Sequence, residues 1–142
     1  MDRSDWALLA IAGSPDKRLS PVQIQKTLFL LGKNRPRDVG KAFYSFRPYN
    51  YGPFDGHIYD DLRMLCFEGY VRRVKATDTL TEFELTPRGA SAARTRAKKA
   101  PPRARAYLDK AARWARSVTF AHLVRSIYKL YPEYRENSVF QG

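Results

Sequence analysis

Residues 54–89 read FDGHIYDDLRMLCFEGYVRRVKATDTLTEFELTPRG. Ile58, Leu62, Leu65, Cys66 and Gly69 fall at i, i+4, i+7, i+8 and i+11, one face of an α-helix. Gly69 suits the left-handed position that ends such a helix, since it has no Cβ to clash there. Two β-rich runs follow, Tyr70–Lys75 and Thr81–Thr86. The polar segment Ala76–Leu80 between them is long enough for a hairpin loop, although it lacks an Asn-Gly signal. Pro87 then suits the first turn of a new helix, with Thr86 as its N-cap. The stretch predicts a helix, a glycine stop, a hairpin carrying Arg72, Arg73 and Lys75, and a helical restart.

This ending, EGYVRR followed by LTPRG, resembles the recognition helix and wing of winged helix-turn-helix domains, including regulators of the MarR and PadR kinds. The resemblance covers about a quarter of the chain and speaks to fold more than to task. Upstream, Asp5–Ala12 predicts a first helix with Ser4 as its N-cap, Trp6 as a core anchor and Gly13-Ser14-Pro15 as its end. Ser20-Pro21 starts a second helix whose stripe is Ile24, Leu28 and Leu31. Gln23, Gln25 and Lys26 are expected on its solvated face, where the two glutamines could also reach base edges.

Residues 33–53 interrupt the simple motif, because its turn ordinarily takes about 3–4 residues. Phe43, Tyr44, Phe46, Tyr49, Tyr51 and Phe54 crowd into residues 43–54. Phe43–Phe46 is expected to be extended and Tyr51-Gly52-Pro53 a tight turn. The rings either pack the insertion onto the helices, the favoured account, or stack unpaired bases beside Arg47.

The segments PVQIQKTLFLLGKN, FYSFRPYNYGPFDGHIYDDLRML and YKLYPEYRENSVF together resemble the SocA-like antitoxin (Panacea) domains and their YwgA-like relatives. That resemblance spans most of residues 20–140. It implies a winged-helix-like fold with an insertion before the third helix, in a group linked to toxin–antitoxin and phage-defence loci. It supplies no catalytic residues.

The net charge of +12 is unevenly placed. Residues 87–116 hold ten Lys and Arg against one Asp, whereas residues 1–86 hold 13 against 11. The cationic segment attracts polyanions over roughly a Debye length, about 8 Å at physiological salt. It predicts an Ala-rich helix over 87–99, a break at Pro101-Pro102, a second basic helix to Arg116, and an amphipathic helix over 117–131. The last two are expected to form a hairpin that packs on the core or pairs with a second copy.

The expected architecture is therefore mainly α with a small antiparallel β-hairpin. Residues 1–89 form a winged-helix-like core with the insertion at 33–53, and 90–142 a basic helical extension packed on it. The apolar segment Ala7–Ala12 is too short for a signal peptide, and no run approaches the roughly 18 residues of a membrane span. The lone Cys66 allows no internal disulfide, and a cytoplasmic location is the expectation. The two histidines, His57 and His122, lie on different helices, no zinc spacing or phosphate-binding glycine loop occurs, and Asp60-Asp61 point apart. No enzyme activity, metal or cofactor is expected.

Two functional expectations follow. In the first, the chain binds nucleic acid, duplex DNA foremost, through Arg72, Arg73, Lys75, Arg94, Arg96, Lys98, Lys99, Arg103 and Arg105, with backbone contacts that carry little sequence information. Asp55, His57, Asp60, Asp61 and Arg63 are expected on the exposed face of the third helix, making it a poor reader of bases. In the second, the chain is an antitoxin-like or adaptor module holding a protein partner such as a toxin, with Tyr44, Tyr49, Tyr51 and Tyr59 at the interface.

Overall fold

A computed structural model describes all of residues 1–142. The chain is mainly helical, with seven α-helices, a three-stranded antiparallel sheet and a two-stranded ribbon. The order is α1 (Arg3–Gly13), β1 (Arg18–Leu19), α2 (Pro21–Asn34), α3 (Pro36–Val39), β2 (Arg47–Tyr49), β3 (Gly52–Phe54) and α4 (His57–Phe67). It continues with β4 (Val71–Lys75), β5 (Thr81–Leu85), α5 (Pro87–Ala97), α6 (Pro102–Ser117), α7 (Phe120–Leu130) and a 3-10 turn over Pro132–Arg135.

The stretch 54–89 folds as its pattern dictates. Ile58, Leu62 and Leu65 are buried on one face of α4. Gly69 ends the helix at φ +81°, and the Tyr70 N–H donates to the Leu65 carbonyl at 3.0 Å. β4 pairs antiparallel with β5, Val71 opposite Leu85 and Lys75 opposite Thr81. The far edge of β5 pairs with β1, Leu19 opposite Phe83, so the sheet order is β1-β5-β4. Thr86 caps α5: its hydroxyl accepts from the Gly89 N–H at 2.9 Å and donates to the Gly69 carbonyl at 2.6 Å. That pair of bonds ties the stop of α4 to the start of α5.

Trp6 is the core anchor, 1% exposed. One apolar cluster joins Trp6, Leu19, Ile24, Leu62 and Phe83 to Ala104, Leu108 and Ala112 of α6, so the segment after residue 89 is packed on the core. The alanines of α6 let it lie close across α1 and α2.

Several expectations need correction. Asp2, not Ser4, caps α1, in a reciprocal pairing with Asp5; the carboxylate outcompetes the hydroxyl, which instead donates to Asp2. Phe43–Phe46 is irregular, and the extended pairs lie later, Arg47–Tyr49 against Gly52–Phe54. Pro48 and Pro53 face one another in this ribbon, which limits its ladder and keeps it short. α7 begins at Phe120, with the Thr119 hydroxyl accepting from the His122 N–H, rather than at Ser117, which still belongs to α6. Nor do α6 and α7 pair along their lengths. α6 packs on α1 and α2, α7 on β3 and the 3-10 turn, and they share the small cluster of Phe29, Leu30, Ala111 and Ile127. Phe29 draws α7 there by meeting Tyr131 and Tyr134 edge-on.

Candidate nucleic-acid interface

On the hairpin, strand register decides which cations are free. Arg72 lies opposite Glu84, and its guanidinium donates to that carboxylate at 2.5 and 2.8 Å. Arg18 of β1 reaches the same carboxylate at 2.7 Å. The hydrogen bonds from Arg72 and Arg18 hold the Glu84 carboxyl below its usual range. The neighbouring Glu82 is buried beneath Arg116, whose guanidinium also binds Asp16. This face of the sheet is thus an arginine–glutamate ladder with little spare charge. Arg73 and Lys75 point to the other side, exposed and without a carboxylate partner, and Arg73 rests 6.0 Å over the Phe83 ring.

The cationic segment behind the hairpin is different. Arg94, Lys98 and Lys99 are exposed on and just after α5, with no carboxylate within ion-pair distance. Arg96 is not available to a ligand, contrary to expectation: it pairs with Asp5 at 3.1 Å and stacks 5.0 Å over Tyr70. Arg103 and Arg105 stay exposed, with only long contacts to Asp38 (3.7 Å) and Asp109 (3.9 Å).

Between the end of α1, α5 and α6 runs a cleft of about 300 Å³ lined by Lys17, Arg94, Arg105 and Arg113. Asp109 is its single carboxylate, and burial pushes that carboxyl up although Arg105, Arg113 and Lys17 pull it down. Lys17 and Arg113 lie outside the predicted contact set. The i, i+4, i+8 spacing of Arg105, Asp109 and Arg113 marks one helix face, a usable signal for Arg113; Lys17 comes from a distant turn and has none.

No protein-family model, curated protein or solved structure matches this chain.

The face of α4 also differs from expectation. Asp55 and Asp61 are buried, 6% and 5% exposed. Asp61 sits at i+3 from Ile58, on the buried stripe, where it accepts from Arg3 Nε at 2.9 Å and the Tyr44 hydroxyl at 2.6 Å. Asp55 accepts from the Ser45 N–H at 2.8 Å, the His57 N–H at 2.9 Å and His57 Nδ1 at 2.8 Å. Burial alone would raise the Asp55 carboxyl, but these donors outweigh it and leave it lowered. What α4 shows to solvent is His57, Asp60, Arg63, Met64 and Phe67, with Asp60 and Arg63 paired to each other. Its exposed stripe is close to neutral, and Met64 and Phe67 make its C-terminal half apolar.

Tyr44 is buried and bonded to Asp61, so it cannot serve as an interface residue; burial, then the hydrogen bond to Asp61, drive its hydroxyl far up. Tyr59 is half-buried, whereas Tyr49 and Tyr51 are exposed. Gln25 and Lys26, expected in solvent, are each 2% exposed. Gln25 exchanges two 3.0 Å hydrogen bonds with the Asp55 backbone, and Lys26 Nζ donates to the Pro53 carbonyl at 3.2 Å. Both are covered because the β2–β3 ribbon folds back over α2. No group of three or more His, Cys, Asp or Glu side chains is close enough to hold a metal ion.

Proposed function

We propose that the protein is a cytoplasmic nucleic-acid-binding regulator of winged-helix type, which grips the phosphate backbone mainly through α5 and α6. The observation that carries this reading is the contrast between neutralised and free cations. Arg18, Arg72 and Arg116 are committed to carboxylates on the sheet, whereas Arg94, Lys98 and Lys99 have none, and Lys17, Arg105 and Arg113 join Arg94 around one acid. The β4–β5 hairpin directly after α4, with β1 on its far edge, supports the winged-helix reading. No helix is long and apolar enough to cross a membrane.

Each phosphate neutralised releases counterions, so affinity falls steeply with salt. Replacing Arg94, Lys98 and Lys99 together with Gln is expected to lower duplex affinity at least about tenfold and flatten the salt slope by roughly three. Arg72→Gln is expected to change affinity less, because Arg72 is already paired. Anisotropy titration of a labelled duplex at two salt concentrations checks both. No binding at low salt, or an unchanged slope in the triple variant, removes the reading.

A second reading, a protein-interaction module of antitoxin or adaptor type, is favoured by one feature. Phe67 is 93% exposed and Met64 55% exposed, side by side on α4, and neither exposure serves the fold. Exposed aromatics of this kind mark interfaces. Under this reading, wild-type protein draws a stoichiometric partner from nuclease-treated native lysate and Phe67→Ser does not. Equal recovery with both proteins counts against it.

A further inference from the structure

We propose that the pocket enclosed by α2, residues 40–46 and the 3-10 turn binds a nucleotide unit, a flat base together with its phosphate. The pocket holds about 360 Å³, within the range of small-molecule sites. Its walls are rings: Phe43 and Phe46 from the loop and Tyr134 from the turn, over the buried Phe29. Phe29 meets Phe46 at 5.4 Å and Tyr134 at 4.8 Å, both edge-on, so the rings brace one another.

The α2 wall is built for this arrangement. A Cβ on Gly32 would stand 2.9 Å from the Phe43 ring, so only glycine lets that ring lie against the helix.

The pocket is also charged in one sense. Lys33 and Lys41 line it and no carboxylate does. Asp38, the acid on the adjoining α3, is engaged by Arg35 at 2.9 Å and faces Arg103. Lys33 Nζ stands 5.5 Å from the Tyr134 ring centre and 5.8 Å from that of Phe29, so one cation already borders the aromatic surface. Ser45 gives its backbone N–H to Asp55 and leaves its hydroxyl on the rim for a base edge.

Apolar walls alone would accept many occupants. Paired with two unneutralised lysines and a hydroxyl, they suit a π-face with an anion attached and a polar edge. A single-ring acid would leave much of the volume to water, whereas base, sugar and phosphate together occupy it. The site lies apart from the α5–α6 cations and does not depend on duplex binding.

The two sources of this chemistry are a free mononucleotide and an unpaired nucleotide within a strand. Backbone NMR shifts followed during titration with adenosine monophosphate, inorganic phosphate, adenosine and a single-stranded tetranucleotide separate them. Shifts at residues 32–46 and Tyr134 with the monophosphate are expected, and phosphate or adenosine alone should bind at least about tenfold more weakly. The tetranucleotide binding more tightly than the monophosphate assigns the site to a strand; the reverse assigns it to a free nucleotide. Lys33→Gln and Lys41→Gln, both at exposed positions, should weaken binding about tenfold together while duplex affinity stays unchanged. Shifts confined to α5 and α6, or none with either nucleotide ligand up to about 10 mM, overturn the proposal. The triple α5 variant should leave the nucleotide titration untouched, so the two readings fail separately.

Discussion

Lys26→Met is expected to stabilise the protein at neutral pH by about 3–4 kcal/mol, an unusual sign for a buried substitution. Lys26 is 2% exposed, its sole hydrogen-bond partner is the Pro53 carbonyl, and no carboxylate pairs with it. Gly52 and Tyr128 close the space around its ammonium end. Burial lowers its pKa from 10.5 to about 7. Between those values the unfolded chain holds a proton that the folded one lacks, so stability rises with pH across the window from about 7 to 10.5. Below it both states are protonated and the desolvation penalty, on the order of 5 kcal/mol at about 1.4 kcal/mol per pH unit, is fully present. Methionine is similar in shape and carries no charge; it gives up one hydrogen bond, about 1 kcal/mol. Urea unfolding of both proteins from pH 6 to 10 isolates the effect: the difference between them should shrink as pH rises. Parallel curves, or a less stable variant, would show that the ammonium finds compensation the geometry does not reveal.

The same residue shows where sequence patterning stops being informative. The stripe Ile24, Leu28, Leu31 correctly marks one buried face of α2. In the fold every residue from Ile24 to Leu31 is buried, because α6, the β2–β3 ribbon and the α7 end cover the other faces. Which polar residues those elements cover depends on contacts made far along the chain, and no local period encodes them. Asp61 is a partial exception. It occupies i+3 on a stripe of Ile58, Leu62 and Leu65, so its burial is readable once its partners, Arg3 and Tyr44, are known to approach. Helix stops and starts fared better, since Gly69, Ser20-Pro21 and Thr86-Pro87 act within a few residues of themselves.

The candidate interface divides along the same line. Charge counts locate the cationic segment at 87–116, but not which cations are spent. Arg72 is neutralised by a cross-strand neighbour twelve positions away, Arg96 by Asp5 at the other end of the chain. The aromatic run was legible as a cluster; its enclosure of a pocket depends on Tyr134, contributed from the C-terminal turn.

Gly89→Ala is expected to cost about 3 kcal/mol or more and to lower duplex affinity at temperatures where the variant stays folded. The TPRG motif places Gly89 in the first turn of α5, with ordinary helical backbone, so conformational freedom is not the reason for glycine. A Cβ there would stand 1.8 Å from the Tyr70 carbonyl oxygen and 3.0 Å from Leu85 Cδ1. The obstacle is main chain at the start of the hairpin, held by the Thr86 N–H donating to that same carbonyl at 3.1 Å, so it cannot swing aside. Either α5 moves off the sheet or the hairpin opens. Both displace Arg94 from the cleft that Lys17 and Arg113 share, and shift Lys98 and Lys99 at the end of the same helix, which links this packing contact to binding. Gly56→Ala is the matched control: its backbone is right-handed helical and its Cβ would meet only the Phe54 ring at 3.7 Å. That variant should be neutral or gain up to about 1 kcal/mol. Thermal unfolding of the two variants beside wild type reads the contrast. Equal stability for Gly89→Ala would mean that α5 is not pressed against Tyr70, and its basic face would lose the fixed position the interface requires.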